Sequence, residues 1–220
     1  MKRVLLTGGS DGLGKAFALK CLREGVEIIS LSRRKPDYKC VWIKTDLTDE
    51  MAMEKSCKEI KEKYGKFDAL VNCAGLISVQ EPNKITYKEL EDTIKVNTLA
   101  PIYLTSLLFD DIKNNEADVL NVGSTVGTKA YQNQCAYTTS KWALRGASLN
   151  TQLEFSKTKC RCIQFNPGGM NTRFWEKYNG TKIENPDEWM NPEDIADVMW
   201  YILNLPKKLE VSEITINRKK

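Results

Sequence analysis

Val4-Leu5-Leu6-Thr7-Gly8-Gly9-Ser10-Asp11-Gly12-Leu13-Gly14 places an apolar run, a glycine-rich turn and the start of an amphipathic segment side by side. That order reads as strand, turn, helix. Glycines at such a turn let backbone approach a pyrophosphate, and the helix start behind it offers unpaired N–H groups and a positive dipole end. Outward from this unit, strand-like runs recur at residues 4–6, 27–31, 41–44, 69–71, 119–122, 160–165 and 213–216, while helical spacing covers 13–24, 49–64, 87–112, 134–156 and 192–203. Strands alternating with helices predict an α/β fold, a doubly wound parallel sheet of about seven strands with helices on both faces. No linker, repeat or low-complexity stretch divides the chain, so residues 1–220 read as a single domain.

Composition removes several kinds of chemistry. The chain has no histidine, which excludes Ser-His-Asp and Cys-His triads and every His-based zinc site. Seven cysteines without a Cys-x-x-Cys pair read as reduced core thiols in a cytoplasmic protein, and no metal is expected. The net charge of +4 is spread along the chain, apart from Arg218-Lys219-Lys220, so nucleic acid is not an expected partner. No apolar stretch approaches the roughly 18 residues that cross a bilayer, and no export signal is expected before the first strand. The sequon Asn179-Gly180-Thr181 is then a chance match.

Gly9 to Lys15 also fits Gly-x-x-x-x-Gly-Lys, the phosphate loop of nucleotide triphosphatases, but Ala16 stands where that loop needs Ser or Thr for Mg²⁺. Thr7 to Gly14 instead matches Thr-Gly-x-x-x-Gly-x-Gly, and the chain resembles the short-chain dehydrogenase/reductase family, whose domain is Rossmann-type. By that resemblance Gly8, Ser10, Asp11, Gly12, Leu13 and Gly14 cradle the cofactor. Asp46-Leu47 follows the third strand, where the family places residues near the adenine. Asn72-Cys73-Ala74-Gly75 matches Asn-Asn-Ala-Gly, with Cys73 departing from the second Asn, so Asn72, Ala74 and Gly75 are cofactor candidates. Pro167-Gly168-Gly169-Met170-Asn171-Thr172 matches Pro-Gly-x-x-x-Thr, and Pro167, Gly168 and Thr172 are expected beside the nicotinamide.

The second strand runs into Ser32-Arg33-Arg34 with no acidic residue at its end. An acid there would bind the ribose hydroxyls of NAD; two guanidinium groups suit a 2′-phosphate. NADP(H) is therefore expected over NAD(H).

Tyr137 and Lys141 are four residues apart on a predicted helix and share one face. Bringing a phenol from a pKa of about 10 to near 7 takes roughly 4 kcal/mol. An ammonium at about 4 Å in an effective dielectric near 20 supplies on the order of 4 kcal/mol, so Lys141 is expected to lower Tyr137. The resemblance makes Tyr137 the general acid/base and gives Lys141 a hydrogen bond to the nicotinamide ribose as well. Ser124, 13 residues before Tyr137, would bind the reacting oxygen, and Asn97 would support a water-and-lysine proton relay.

The resulting expectation is hydride transfer between NADP(H) and a carbonyl or secondary alcohol, with a cofactor-binding sensor or scaffold of the same fold as the alternative. Residues 172–191 read as a substrate lid. Trp175 and Tyr178, with Tyr131 and Gln134 ahead of the catalytic tyrosine, are the substrate-wall candidates. They do not separate a sugar, steroid, acyl thioester or small ketone. A homo-oligomer, as a dimer through the helix carrying Tyr137, is expected from the resemblance.

Overall fold

Val4, Leu6, Ile28 and Val71 point to one apolar cluster, while their strand neighbours Leu5, Ile29 and Leu70 point to another. Continuous apolar strands of this kind need cover on both faces, which is how parallel sheets are buried. Among the described residues of the computed structural model the seven strands are β1 (Arg3–Thr7), β2 (Glu27–Ser32), β3 (Val41–Lys44), β4 (Ala69–Asn72), β5 (Asp118–Val122), β6 (Cys162–Pro167) and β7 (Glu213–Ile216). All pairings are parallel, in the order β3-β2-β1-β4-β5-β6-β7. The chain builds outward from β1 to β3, then returns to add β4 on β1's other side. That reversal opens a crevice above the carboxyl ends of β1 and β4. The structure describes residues 1–219 except 181, and only the backbone at 177–179.

Helix α1 (Gly12–Arg23) is capped by Asp11, whose Oδ1 accepts from Gly12 N at 2.7 Å. Helix α2 (Glu50–Glu59) is capped by Asp49 and runs on as a wider turn to Tyr64. The region expected as one helix over 87–112 is segmented: α3 (Tyr87–Ile94), a π turn (Lys95–Leu99), α4 (Ala100–Leu107) and α5 (Phe109–Asn115). The break before α5 falls at Leu108, whose φ of −105° and ψ of 10° leave the helical region. Then come α6 (Cys135–Phe155), α7 (Phe174–Asn179) and α8 (Pro192–Leu203). Strand β6 starts two residues later than expected, because Arg161 turns in to pair with the buried Asp118.

Helices α1 and α8 cover one face through Phe17, Ile195 and Met199, with Phe165 from the sheet. The other face packs on Leu104, Leu108, Ile112 and Phe155 from α4, α5 and α6 and the α4–α5 junction. The helix over 134–156 thus becomes an almost fully formed α6 that carries Tyr137 and Lys141 past the end of β5.

Candidate active site

The first turn leaves no room for side chains at two glycines. A Cβ on Gly8, whose φ is +71°, would sit 2.7 Å from the Ala74 backbone, and one on Gly14 would sit 2.3 Å from the Gly8 carbonyl oxygen. Thr7 Oγ1 accepts from Cys73 N and Ala74 N at 3.0 and 3.1 Å, joining the end of β1 to the loop after β4. The Tyr38 hydroxyl donates to Gly9 O at 2.8 Å and holds the turn from behind. Above it opens a cleft of about 620 Å³. Over the glycine turn it is lined by Gly8, Ser10, Asp11, Gly12, Leu13 and Gly14, and by Ser32, Arg33, Arg34, Asp46 and Leu47.

Arg33 and Arg34 are exposed at the rim, and Arg34 lies 3.7 Å from the Asp11 carboxylate. Ser32 Oγ donates to Arg34 O at 2.8 Å, bending the chain back after β2. Burial alone would raise the Asp46 carboxyl; hydrogen bonds from Thr48 N and Oγ1, with Arg33 and Lys88 nearby, outweigh it and hold the group below its usual range. Lys15, the lysine of the rival phosphate-loop reading, pairs with Asp37 at 2.7 Å and does not line the cleft.

Ser124, Tyr137 and Lys141 converge on one wall of the cleft. Ser124 caps a short turn, its hydroxyl accepting from Val126 N at 3.2 Å and lying beside the Tyr137 phenol. Lys141 Nζ donates to Val122 O at 2.8 Å and stands 5.8 Å from the Tyr137 ring centroid. The expected lowering of Tyr137 is absent. Burial pushes its phenol up to about 12, against a smaller opposing pull from Ser124, and burial pushes Lys141 down to about 8. The ammonium is engaged by a carbonyl instead of the phenol, so loss of water dominates both groups. Ala74, Gly75, Pro167, Gly168 and Thr172 also line the cleft.

Two expected site residues lie behind the cleft. Asn97 is fully buried in the π turn, where the widened helix aims it inward. Its Oδ1 accepts from Leu76 N, and its Nδ2 donates to Leu76 O and Ser140 Oγ, at 2.7, 2.7 and 2.9 Å. It fastens the loop after β4 to α6 and lines no part of the cleft. Asn72 likewise turns into the sheet, its Nδ2 donating to Asn121 Oδ1 at 2.8 Å.

Asn72 begins a polar chain through the core that sequence reasoning missed. Asn121 Nδ2 donates to Ser148 Oγ, Ser148 Oγ to Gln164 Oε1, Gln164 Nε2 to Asn166 Oδ1, and Asn166 Nδ2 to Glu213 Oε1, over 2.6–2.9 Å. Arg145 closes it on Glu213 with bonds of 2.8 and 2.9 Å. Ser148 and Arg145 are on α6, so the chain sets the height of Tyr137 and Lys141 above the sheet.

The cleft is also lined by Tyr131, Gln134 and Trp175, and by Phe174, Trp189 and Arg218. Tyr178 lies outside the described residues. Phe174 packs on Tyr137 with ring centroids 6.3 Å apart, and Trp175 meets Trp189 edge-on at 6.5 Å. Gln134 Oε1 is buried without a hydrogen-bond partner. No helix among the described residues is long and apolar enough to cross a membrane, and those residues hold no cluster of metal-ligating side chains.

Residues 2–183 match the family model for short chain dehydrogenase. The chain belongs to this family. The NADP-dependent 3-hydroxy acid dehydrogenase YdfG of Shigella flexneri is 26% identical over 237 residues, covering 96% of this chain and 92% of that protein. An uncharacterized oxidoreductase of Staphylococcus aureus is 24% identical over 226 residues, with 98% and 96% covered. Among solved structures, the alcohol dehydrogenase from the archaeon Thermococcus sibiricus, complexed with 5-hydroxy-NADP, aligns at a TM-score of 0.88 and 24% identity over 99% of this chain and 97% of that one. A 4-hydroxyisoleucine dehydrogenase complexed with NADH aligns at 0.87 and 22%, over 99% and 98%.

This short-chain dehydrogenase is an oxidoreductase acting on CH–OH groups with NAD(P). Its residues fit a dinucleotide: the Gly8–Gly14 approach and the positive φ of Gly12, +51°, keep the first turn free of side chains where a pyrophosphate must come close. Of the residues missed from the sequence, Phe174 and Trp189 had a signal in the aromatic lid stretch. Arg218 had none, since only strand order brings the end of β7 beside β6.

Proposed function

We propose that this enzyme is an NADPH-dependent carbonyl reductase, able to run in reverse on a secondary alcohol. The observation that carries the reading is the convergence of Ser124, Tyr137 and Lys141 on one wall of a cleft that begins at the glycine turn. When bound, NADPH supplies a hydride to the carbonyl carbon. Ser124 orients and polarises the carbonyl oxygen, and Tyr137, protonated at neutral pH, donates its proton to that oxygen. Lys141 places a positive charge beside the phenol and favours the phenolate left behind. Asn97 is a positioning residue that keeps α6 in register with the loop after β4.

Gly8 to Gly14 would hold the pyrophosphate, Asp46 and Leu47 the adenine, and Ala74, Gly75, Pro167, Gly168 and Thr172 the nicotinamide side. Arg33 and Arg34 support NADP(H) over NAD(H), since a guanidinium pair at the rim offers forked donors to a 2′-phosphate and no acid stands in their place. NADPH oxidation across a carbonyl panel tests the activity; no turnover with any carbonyl refutes it. The Arg33→Asp variant should shift kcat/KM toward NADH, and equal use of both cofactors by the unaltered enzyme would sink the preference.

The chain reads as one domain, with residues 172–191 as the substrate lid. Seven free thiols support a reducing, cytoplasmic setting. Trp142, Leu149 and Leu153 on α6 and Leu99 and Ile102 beside and on the adjoining α4 are exposed, an apolar area that supports a homodimer through these helices. Light scattering on the native chain and Leu153→Lys tests it, with a monomer in the native chain as the contrary result.

A further inference from the structure

Besides Arg33, Arg34 and Lys141, the cleft is lined by cations that hydride transfer does not use. They are Lys129 from the loop leading into α6, Arg173 at the start of α7, and Arg218 just after β7. Each comes from an element tied to the reacting wall. Arg173 adjoins Phe174, which packs on Tyr137. The Arg218 guanidinium lies 4.9 Å over the Trp189 ring, which itself packs on Trp175, and its Nη1 donates to Glu188 O at 3.0 Å. The Lys129 ammonium lies 5.3 Å over the Tyr131 ring. The acidic residues lining the cleft, Asp11 and Asp46, lie near Arg34 and Arg33. Glu176, off the cleft, offsets Arg173 at 3.4 Å.

Like charges gathered around one space repel and raise the local concentration of anions. The Arg218 guanidinium, held over an aromatic ring and bonded to a carbonyl, is oriented in advance for a carboxylate, which accepts forked, charge-assisted hydrogen bonds. We infer that the substrate is an anion: a carbonyl or hydroxy compound bearing a carboxylate, held by Lys129, Arg173 and Arg218 while its reacting oxygen faces Ser124 and Tyr137. The inference rests on the reductase reading for the place of that oxygen. A carboxylate with a pKa of about 4 is ionised at neutral pH, so esters and amides of the same carbon skeleton lack the recognised group.

The test compares short oxo acids with their methyl esters under NADPH. The acids are turned over with kcat/KM at least about tenfold above the esters, an advantage that shrinks as salt screens the site. Arg218→Gln and Lys129→Gln raise KM for the acid by about 10- to 100-fold, as expected for a lost charged hydrogen bond. They leave ester kinetics and the NADPH Kd unchanged. Esters used as well as acids overturn the inference while leaving the reductase reading intact. Variants that weaken NADPH binding along with the acid overturn it too, since the cations would then serve the cofactor's phosphates. If no carbonyl is turned over, the reductase reading fails and binding decides the inference. Malonate titrated against tryptophan fluorescence then quenches the native protein and not Arg218→Gln if the inference holds, and gives identical curves if it does not.

Discussion

The two ends of the central sheet treat buried charge in opposite ways. At the amino ends of β5 and β6, Asp118 is 2% exposed and receives Arg161 Nη2 and Lys207 Nζ, each at 2.6 Å. Arg161 also donates to the carbonyls of Leu203, Leu205 and Leu209, so charges and donors there are met. At the carboxyl ends, Lys141 is equally buried, and among the described residues no carboxylate lies within ion-pair reach of it. It has a carbonyl partner, and the Ser124 hydroxyl lies beside Tyr137. One end is compensated and contributes to holding the fold. The other is left electrically incomplete, which costs stability and leaves groups available to a reactant.

Substitutions at the two ends should therefore fail differently. Tyr137→Phe is expected to cut kcat/KM by about 10²- to 10⁴-fold, the range for a lost general acid, with an unchanged melting temperature. A variant that keeps its rate removes the acid role from Tyr137. Asp118→Ala should do the reverse, losing about 3–5 kcal/mol in urea unfolding because Arg161 is stranded, while the folded fraction keeps its turnover.

Lys141 gives the contrast a pH signature. Burial lowers its folded pKa from 10.5 to about 8, so between about pH 8 and 10.5 the native state binds fewer protons than the unfolded chain. Stability from this group rises with pH across that window, whereas below it the protonated native state bears the desolvation cost. Activity should move the other way: kcat/KM for reduction falls about tenfold per unit above pH 8 as the ammonium is lost. A profile flat to pH 10 would show that the charge on Lys141 is not needed.

The smallest expected effect concerns the glycine turn. Tyr38→Phe removes the hydrogen bond to Gly9 O, worth about 1 kcal/mol, and should raise the NADPH Kd by about fivefold with kcat unchanged. An unaltered Kd would show that Gly8 and Gly14 hold the turn unaided.

Strand and helix placement was largely legible because burial on both faces writes apolar runs into every strand. The glycine turn was legible for a related reason: only residues without Cβ fit where Gly14 meets Gly8. The Asn97 and Asn72 side chains face away from the cleft, a direction that a motif does not give. The π turn rotates Asn97 behind the cleft, and Asn72 faces the polar chain that ends on Arg145. That chain had no sequence signal, since its members, from Ser148 to Glu213, meet only once four strands are in register.

The sequence by itself determined the order of elements and the cradle at the first turn, because these depend on local backbone geometry, while its resemblance to a family named the candidate acid/base residues. Tertiary structure decided where the Lys141 ammonium points, how far burial moves Tyr137 and Lys141, and that Lys129, Arg173 and Arg218 line one cleft. Those outcomes depend on solvent exclusion and on distances between residues remote in sequence, and strand order sets both.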